Sequence, residues 1–180
     1  MSIILIGSGK HCNIIKDVLG DKNYLIFDDK IKGKSLLDFE NYLLTLTNEI
    51  DIVLCIGNNE QRSIIYNKMK NMRNFNKLNF INVISKNSII SKNCKYGKGN
   101  HFLNGCIIET HTKIGDFNIF NTNSSVNHDC IIHNFCHLSP HTSLCGNCEI
   151  ENGIIIPTGY NIIPNWKITS KKTYFKIPSI

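Results

Sequence analysis

The chain has no apolar run approaching the roughly 18 residues that a membrane-spanning helix needs, so a membrane-spanning protein is not expected. Met1 to Lys10 carries neither a basic stretch nor a small-residue cleavage site, so no secretory leader is read there, and a cytoplasmic location is expected. Clusters of Lys and Arg interleaved with aromatics are missing as well. The net charge is +6, but its lysines are scattered, with Lys171–Lys172 the tight pair. That distribution suits a solvated surface and not a nucleic-acid interface. A zinc-ribbon pair of cysteines is also lacking. Cys145 and Cys148 have the C-x-x-C spacing, but the repeat described next puts them on different sides of one wall. No resident metal is expected.

What the chain does have is a beat of six. From Ile84 to Ile168, every sixth residue is apolar: Ile84, Ile90, Tyr96, Phe102, Ile108, Ile114, Phe120, Val126, Ile132, Leu138, Leu144, Ile150, Ile156, Ile162 and Ile168. Neither the 3.6 period of a helix nor the 2.0 period of a strand demands this spacing. A hexapeptide β-helix does: each hexad is one short strand and a turn, and three hexads make one triangular coil. The apolar residue of each hexad is expected to point inward. Four residues later sits a small one: Ser88, Cys94, Asn100, Cys106, Thr112, Asn118, Ser124, Cys130, Cys136, Thr142 and Cys148. A crowded corner of a narrow prism requires small side chains. Five of the eight cysteines fall in this register and read as small core residues in a reducing compartment. From Ile154 the register turns large, with Ile154, Tyr160 and Trp166, which are expected to plug the open end of the prism.

The first part reads as a different domain. Ser2 to Ile6 is a buried strand, Asn13 to Leu19 a helix with Ile14, Ile15, Val18 and Leu19 on one face, and Gly20 its stop. Tyr24 to Phe27 and Ile50 to Ile56 are strands, Ser35 to Leu46 holds a short helix, and Asn58 or Asn59 caps another that carries Ile64, Ile65 and Met69. Alternation of this kind implies a small parallel sheet with crossovers. Ligands bind beyond the carboxyl ends of such strands, which here carry Gly7-Ser8-Gly9, Asp28-Asp29 and Gly57-Asn58-Asn59. Glycines let a ligand approach the backbone, and helix N-termini attract phosphate. The first motif, G-x-G-x-x-C, lacks the third glycine of the dinucleotide fingerprint, so a nucleotide is better supported than NAD. The plainer reading is a tight turn before a capped helix, with no ligand. The expected boundaries are 1–80 for the Rossmann-like α/β domain, 81–170 for the left-handed parallel β-helix, and 171–180 for a tail.

Five segments carry a family resemblance: Ile6–His11 (IGSGKH), Phe27–Asp29 (FDD), Ile56–Arg62 (IGNNEQR), Asn121–Asp129 (NTNSSVNHD) and Cys145–Ile150 (CGNCEI). With the two-domain pattern, they resemble the NeuD/PglD-type sugar acetyltransferases, and within these the enzymes that N-acetylate UDP-4-amino-4,6-dideoxy sugars. The resemblance implies acetyl-CoA as co-substrate, a UDP- or dTDP-linked amino sugar as acceptor, and a homotrimer with each site between neighbours. It makes His128 the catalytic base, with Asp129 tuning it where the nearest relatives have Glu. It sets Asn121 against the sugar, His137 and the Gly146 backbone N–H against acetyl-CoA, and His11, Asp28, Asp29, Gly57 and Asn58 in the nucleotide-sugar pocket.

The residues support part of this on their own. No histidine falls on the inward register, so all are expected to face outward or lie on turns. Gly146 follows His128 by eighteen residues, one coil, so a bare backbone should lie beside the imidazole, leaving room for a thioester and offering an N–H. A base beside a backbone donor suits acyl transfer. A neutral histidine would serve a hydroxyl as well as an amine, so sugar O-acetylation is the first alternative. A non-catalytic nucleotide-sugar binder is another: the ending Phe175 to Ile180 is shorter than in relatives and keeps only the proline of their last motif. A trimeric zinc enzyme of the γ-carbonic anhydrase type, using His101, His128, His133 and His137, is a third.

Overall fold

The computed structural model describes residues 2–169, so the tail 171–180, the Lys171–Lys172 pair and the Phe175–Ile180 ending lie outside the described residues. The chain forms two compact units, divided between Ile84 and Ser85. No helix among the described residues is long and apolar enough to cross a membrane.

The first unit is a parallel sheet with helical crossovers. Its elements run β1 (Ile3–Ile6), α1 (Lys10–Leu19), β2 (Tyr24–Phe27), α2 (Leu36–Thr45), β3 (Ile50–Leu54), α3 (Asn59–Lys70) and β4 (Leu78–Phe80), with strand order β2-β1-β3-β4. β1 is buried along its whole length, as an apolar strand covered on both faces should be. α1 starts three residues earlier than its apolar pattern suggests, because Gly9 serves as N-cap. Its buried side is Cys12 and Ile15, whereas Ile14 is exposed, so the predicted face is rotated toward Cys12. Gly20 ends it with φ +74°. α2 begins with a full capping box between Ser35 and Asp38. α3 is capped by Asn58, whose Oδ1 accepts from the Gln61 N–H at 2.9 Å.

Arg62 of α3 is fully buried. Its guanidinium donates to the carbonyls of Ile56 (2.8 Å) and Gly57 (3.1 Å) and to Asn59 Oδ1 (2.9 Å), pinning the loop between β3 and α3. Arg62→Met keeps the bulk but strands those acceptors. It is expected to cost about 2–4 kcal/mol, read as a lowered urea midpoint.

The second unit is the left-handed parallel β-helix, wound in two-residue strands. Three sheets run along it, in which the strands 101–102, 119–120, 137–138 and 155–156 stack on one face, 89–90, 107–108, 125–126, 143–144 and 161–162 on the next, and 95–96, 113–114, 131–132, 149–150 and 167–168 on the third. Partners are eighteen residues apart, as in Phe120 with Leu138 and Val126 with Leu144. The inward register is buried from Phe102 to Ile168. Ile84 and Tyr96 depart from it and are exposed, because the first coil has a neighbouring coil on one side only. Tyr96 closes that end edge-on against Phe102, which stacks on Phe120 with centroids 5.0 Å apart.

The small register is buried from Asn100 to Cys148, and its polar members hold the corners together. Asn100 Oδ1 accepts from the Asn118 N–H at 2.8 Å, and Asn118 Oδ1 from the Cys136 N–H at 2.7 Å. At the far end, Ile154 and Tyr160 join the core. Trp166 does not plug the prism but lies more than half exposed, since its place in the column of Cys130 and Cys148 is too narrow for an indole. A further register was not read from the sequence: the third residue after an inward one is left-handed, as in Asp129 (φ +59°), Asn147 (φ +59°) and Asn165 (φ +64°). Asn and Asp tolerate that conformation better than other non-glycine residues.

Candidate active site

His128 stands on the turn after the strand 125–126. The left-handed backbone of Asp129 belongs to the same turn, and its Oδ2 lies 2.8 Å from His128 Nδ1. A carboxylate can only accept, so Nδ1 donates to Asp129 and Nε2 is the ring nitrogen left for a substrate. The imidazole is 56% exposed, so solvent and ligand can both reach it.

One coil further, Gly146 lies directly beside it; the Asn147 N–H donates to the His128 carbonyl at 3.1 Å and ties the two turns together. A Cβ on Gly146 would come within 2.6 Å of His128 Cε1 and 2.8 Å of Nε2. The bare backbone therefore makes room for the imidazole itself, and not for a thioester as the spacing alone suggested. On other corners a side chain of the next coil accepts the corresponding N–H, as Asn134 Oδ1 does from Asp116 at 2.7 Å. Pro164 occupies that place above Gly146. The Gly146 N–H has no acceptor among the described residues.

Asn121 and His137 are brought together, with Asn121 Nδ2 3.1 Å from His137 Nε2. Asn121 Oδ1 accepts from the Thr122 N–H, so its amide is oriented at both ends. They sit on a different edge from His128, separated from it by the strand 125–126. Beside Asp129 a cavity of about 360 Å³ opens among Asn93, Lys95, His111, Lys113 and Ile131, a feature the sequence pattern did not single out.

The other histidines are placed less simply than expected. His101 is fully buried although off the inward register, as is its neighbour on the next coil, Ile119. His133 Nε2 lies 3.0 Å from Glu149 Oε1, and Lys167 Nζ 2.9 Å from Glu149 Oε2. Bonds from Lys167 and His133 hold the Glu149 carboxyl below the usual range. Among the described residues no group of three or more His, Cys, Asp or Glu gathers as a metal cluster would.

In the first unit a cavity of about 370 Å³ opens at the carboxyl ends of the strands. Gly7, Asp28 and Asp29 line it, as the sequence suggested; Lys30, Gln61 and Ile65 line it too and were not foreseen. Ser8, Gly9, His11, Gly57 and Asn58 do not line it. Gly7 takes φ +101°, and a Cβ there would meet the Cys55 carbonyl and Ile56 Cγ1 at 3.2 Å, so only glycine fits. The Ser8 N–H and hydroxyl both donate to Asp28 Oδ2, at 2.7 and 2.8 Å, and the Lys30 N–H to Oδ1 at 2.9 Å. Asp28 thus fastens the glycine turn. Asp29 Oδ1 accepts from the Leu36 N–H at 2.9 Å. Gly57 faces His11, whose Cβ would lie 3.6 Å from an added methyl.

Burial raises the Asp28 pKa, but the bonds from Lys30 and Ser8 and the Lys30 charge outweigh it and hold the carboxyl below its ordinary value. A depressed carboxyl stabilises the fold above the ordinary carboxylate pKa and loses that contribution as pH falls through the folded value. Between pH 6 and pH 3 the urea midpoint of the unaltered protein is therefore expected to fall further than that of Asp28→Asn.

The comparisons with known proteins agree with this architecture. Residues 2–69 match the family model of the PglD N-terminal domain. The acetyltransferase domain of PglB from Neisseria gonorrhoeae FA1090, solved with acetyl coenzyme A, is 23% identical with a TM-score of 0.78, covering 92% of this chain and 83% of that one. A histidine-to-alanine mutant of GDP-perosamine N-acetyl transferase from Caulobacter crescentus, solved with CoA and GDP-perosamine, is 22% identical with a TM-score of 0.82, covering 93% and 82%. WeeI from Acinetobacter baumannii AYE is 15% identical with a TM-score of 0.59, covering 96% and 98%. At these identities the solved structures show the shared fold. The chain thus resembles NeuD/PglD-type sugar acetyltransferases in sequence over its first domain and in fold over nearly its full length.

Proposed function

We propose that this chain is an acetyl-CoA-dependent acetyltransferase for amino sugars, and more finely that it acetylates the 4-amino group of a UDP- or dTDP-linked amino-dideoxy sugar. The observation that carries the reading is the His128 imidazole, oriented by Asp129 at 2.8 Å and lying against the bare backbone of Gly146. The first-domain match and the shared fold support it, as do the acetyl-CoA, CoA and GDP-perosamine bound in the solved structures.

The chemistry is direct transfer. The sugar amine attacks the thioester carbonyl, a C–N bond forms, and the amine proton passes to His128 Nε2. The Gly146 N–H donates to the tetrahedral oxyanion. The C–S bond then breaks, and His128 returns the proton to the leaving thiolate. No enzyme thiol takes part: Cys130 is buried, and burial pushes it to about 11. The glycine turn, Asp28 and Asp29 of the first unit hold the nucleotide. Free thiols at all eight cysteines suit a reducing, cytoplasmic setting.

Asn121 and His137 contact the sugar and acetyl-CoA, respectively. Since they stand on a different edge from His128, one chain does not turn both edges to one substrate, and a homotrimer completes each site between neighbours. Co-refolded Asn121→Ala and His128→Ala chains, each impaired alone, are expected to recover about a quarter of the unaltered activity, the share of randomly mixed interfaces with both residues intact. No recovery would place both residues in one chain's site.

The function is tested by thiol release from acetyl-CoA with UDP- and dTDP-linked amino sugars, with mass spectrometry of the product. An N-acetyl product is expected. An O-acetyl product would move the assignment to the hydroxyl, and tight sugar binding without turnover would make the chain a binder.

A further inference from the structure

Two lysines of the prism stand side by side. Lys95 and Lys113 occupy the same place on adjacent strands of one face and pair directly in the register. Both are exposed and off the inward register. Paired strands lie about 4.8 Å apart, and like charges set opposite one another there are destabilising. Among the described residues neither ammonium has a carboxylate within ion-pair distance. Further along the same face the charge is balanced: Lys167 meets Glu149, its register partner, at 2.9 Å, and His133 meets the same carboxylate. The uncompensated pair borders a cavity. Lys95, Lys113, Asn93 and His111 line the space of about 360 Å³ that Asp129 shares. Asp129 sets one carboxylate against two ammonium groups there, and one of its oxygens already accepts from His128 Nδ1 at 2.8 Å.

We propose that this cavity is an oxyanion subsite in which Lys95 and Lys113 hold a phosphate group of a substrate, and that the group is the anomeric phosphate of the nucleotide-linked sugar. A pair of ammoniums suits phosphate, because each brings a full charge and N–H donors that turn to meet an oxygen. An anion between the lysines also relieves their mutual repulsion.

The choice between the two phosphate-bearing substrates comes from where the cavity lies. It is lined by the residue that orients the base. One pyranose ring separates a 4-amino group from the anomeric phosphate, so a sugar whose amine meets His128 Nε2 has its phosphate close by. The whole pantetheine arm separates a thioester from the diphosphate of CoA. The choice of the sugar rests on the proposed function; the oxyanion subsite rests on the lysine pair and the cavity alone. Held there, the phosphate fixes one end of the ring and presents the amine at the other end to the base.

Lys95→Gln and Lys113→Gln each remove one charge and keep most of the stem. Isothermal titration of the full chain at fixed ionic strength, with UDP, dTDP, CoA and inorganic pyrophosphate as probes, reads the effect. Each variant is expected to bind the preferred nucleoside diphosphate and pyrophosphate about tenfold more weakly, with CoA affinity unchanged within about twofold. Neither should melt below the unaltered chain, since each removes a like-charge contact. Weaker binding of CoA alone would keep the oxyanion subsite and overturn the sugar phosphate as its occupant. Nucleotide and CoA bound equally well by the unaltered chain and by Lys95→Gln/Lys113→Gln would overturn the inference and leave the proposed function standing. Lysine-dependent binding of pyrophosphate by a chain that binds neither nucleotide nor CoA would keep the subsite and remove the function. A lowered melting temperature alongside weaker binding would overturn the inference by assigning the lysines to the fold.

Discussion

Replacing His128 with alanine is expected to lower kcat by about 10²–10⁴-fold, the range a positioned general base contributes. Stability should hardly change, within about 0.5 kcal/mol, because the side chain is more than half exposed. The KM for acetyl-CoA should stay close to its original value, since the imidazole serves the proton and not the nucleotide end of the cofactor. Asp129→Asn separates a second contribution. Asparagine also tolerates the left-handed backbone at this position, so the turn should persist while the acceptor for Nδ1–H changes. Loss of activity without loss of stability in that variant assigns Asp129 to holding the tautomer. Unchanged thiol release by His128→Ala would remove the mechanism and leave the fold standing.

The second large effect is expected from a single methyl group. Gly146 has no positive φ, so alanine is compatible with its backbone, but the added Cβ would lie 2.6 Å from His128 Cε1. The ring must swing away, which is cheap for an exposed side chain and ruinous for its aim. A displacement on the order of 1 Å costs about 10²-fold in rate. Gly146→Ala should therefore unfold at nearly the same temperature as the unaltered chain while losing most of its turnover. In Gly146→Ala/His128→Ala the alanine at 146 should have almost no further effect, because the group it displaces is gone. Equal, additive losses would mean that Gly146 acts through something other than the imidazole.

The prism was the most legible feature, for a physical reason. A triangular coil must return to the same inward position every sixth residue, and that geometry prints itself on the sequence as an unbroken apolar phase from Ile84 to Ile168, buried from Phe102 onward. The adjacency of His128 and Gly146 followed from the same beat, since eighteen residues are one coil. What filled the space above Gly146 did not follow. A repeat gives the position of a Cα but not the rotamer of a ring, and here the imidazole takes the gap itself. The ends of the stack were misread because periodicity carries no record of where neighbours stop: Tyr96 keeps the phase yet is exposed, and Trp166 is too large for its column.

The first unit was legible in its order of elements and less so in its faces. The face of α1 was drawn through Ile14, Ile15, Val18 and Leu19 from hydrophobicity; Ile15 is buried as drawn, but Cys12 is buried in place of Ile14, and cysteine is among the residues most at home in a core. The acidic pair was found by its place after β2, but Asp28 proved to be bonded to the glycine turn. A strand-end motif marks a site without telling which of its groups are already engaged within the protein.

The measurement that bears most directly on the account is the rate of CoA release from acetyl-CoA by the unaltered chain and by Gly146→Ala, side by side, with the same nucleotide-linked 4-amino sugar. An imidazole seated on a bare turn predicts rapid, sugar-dependent release by the first and about a hundredfold less by the second, with both proteins equally folded. Equal rates from the two, or no sugar-dependent release from either, would contradict it.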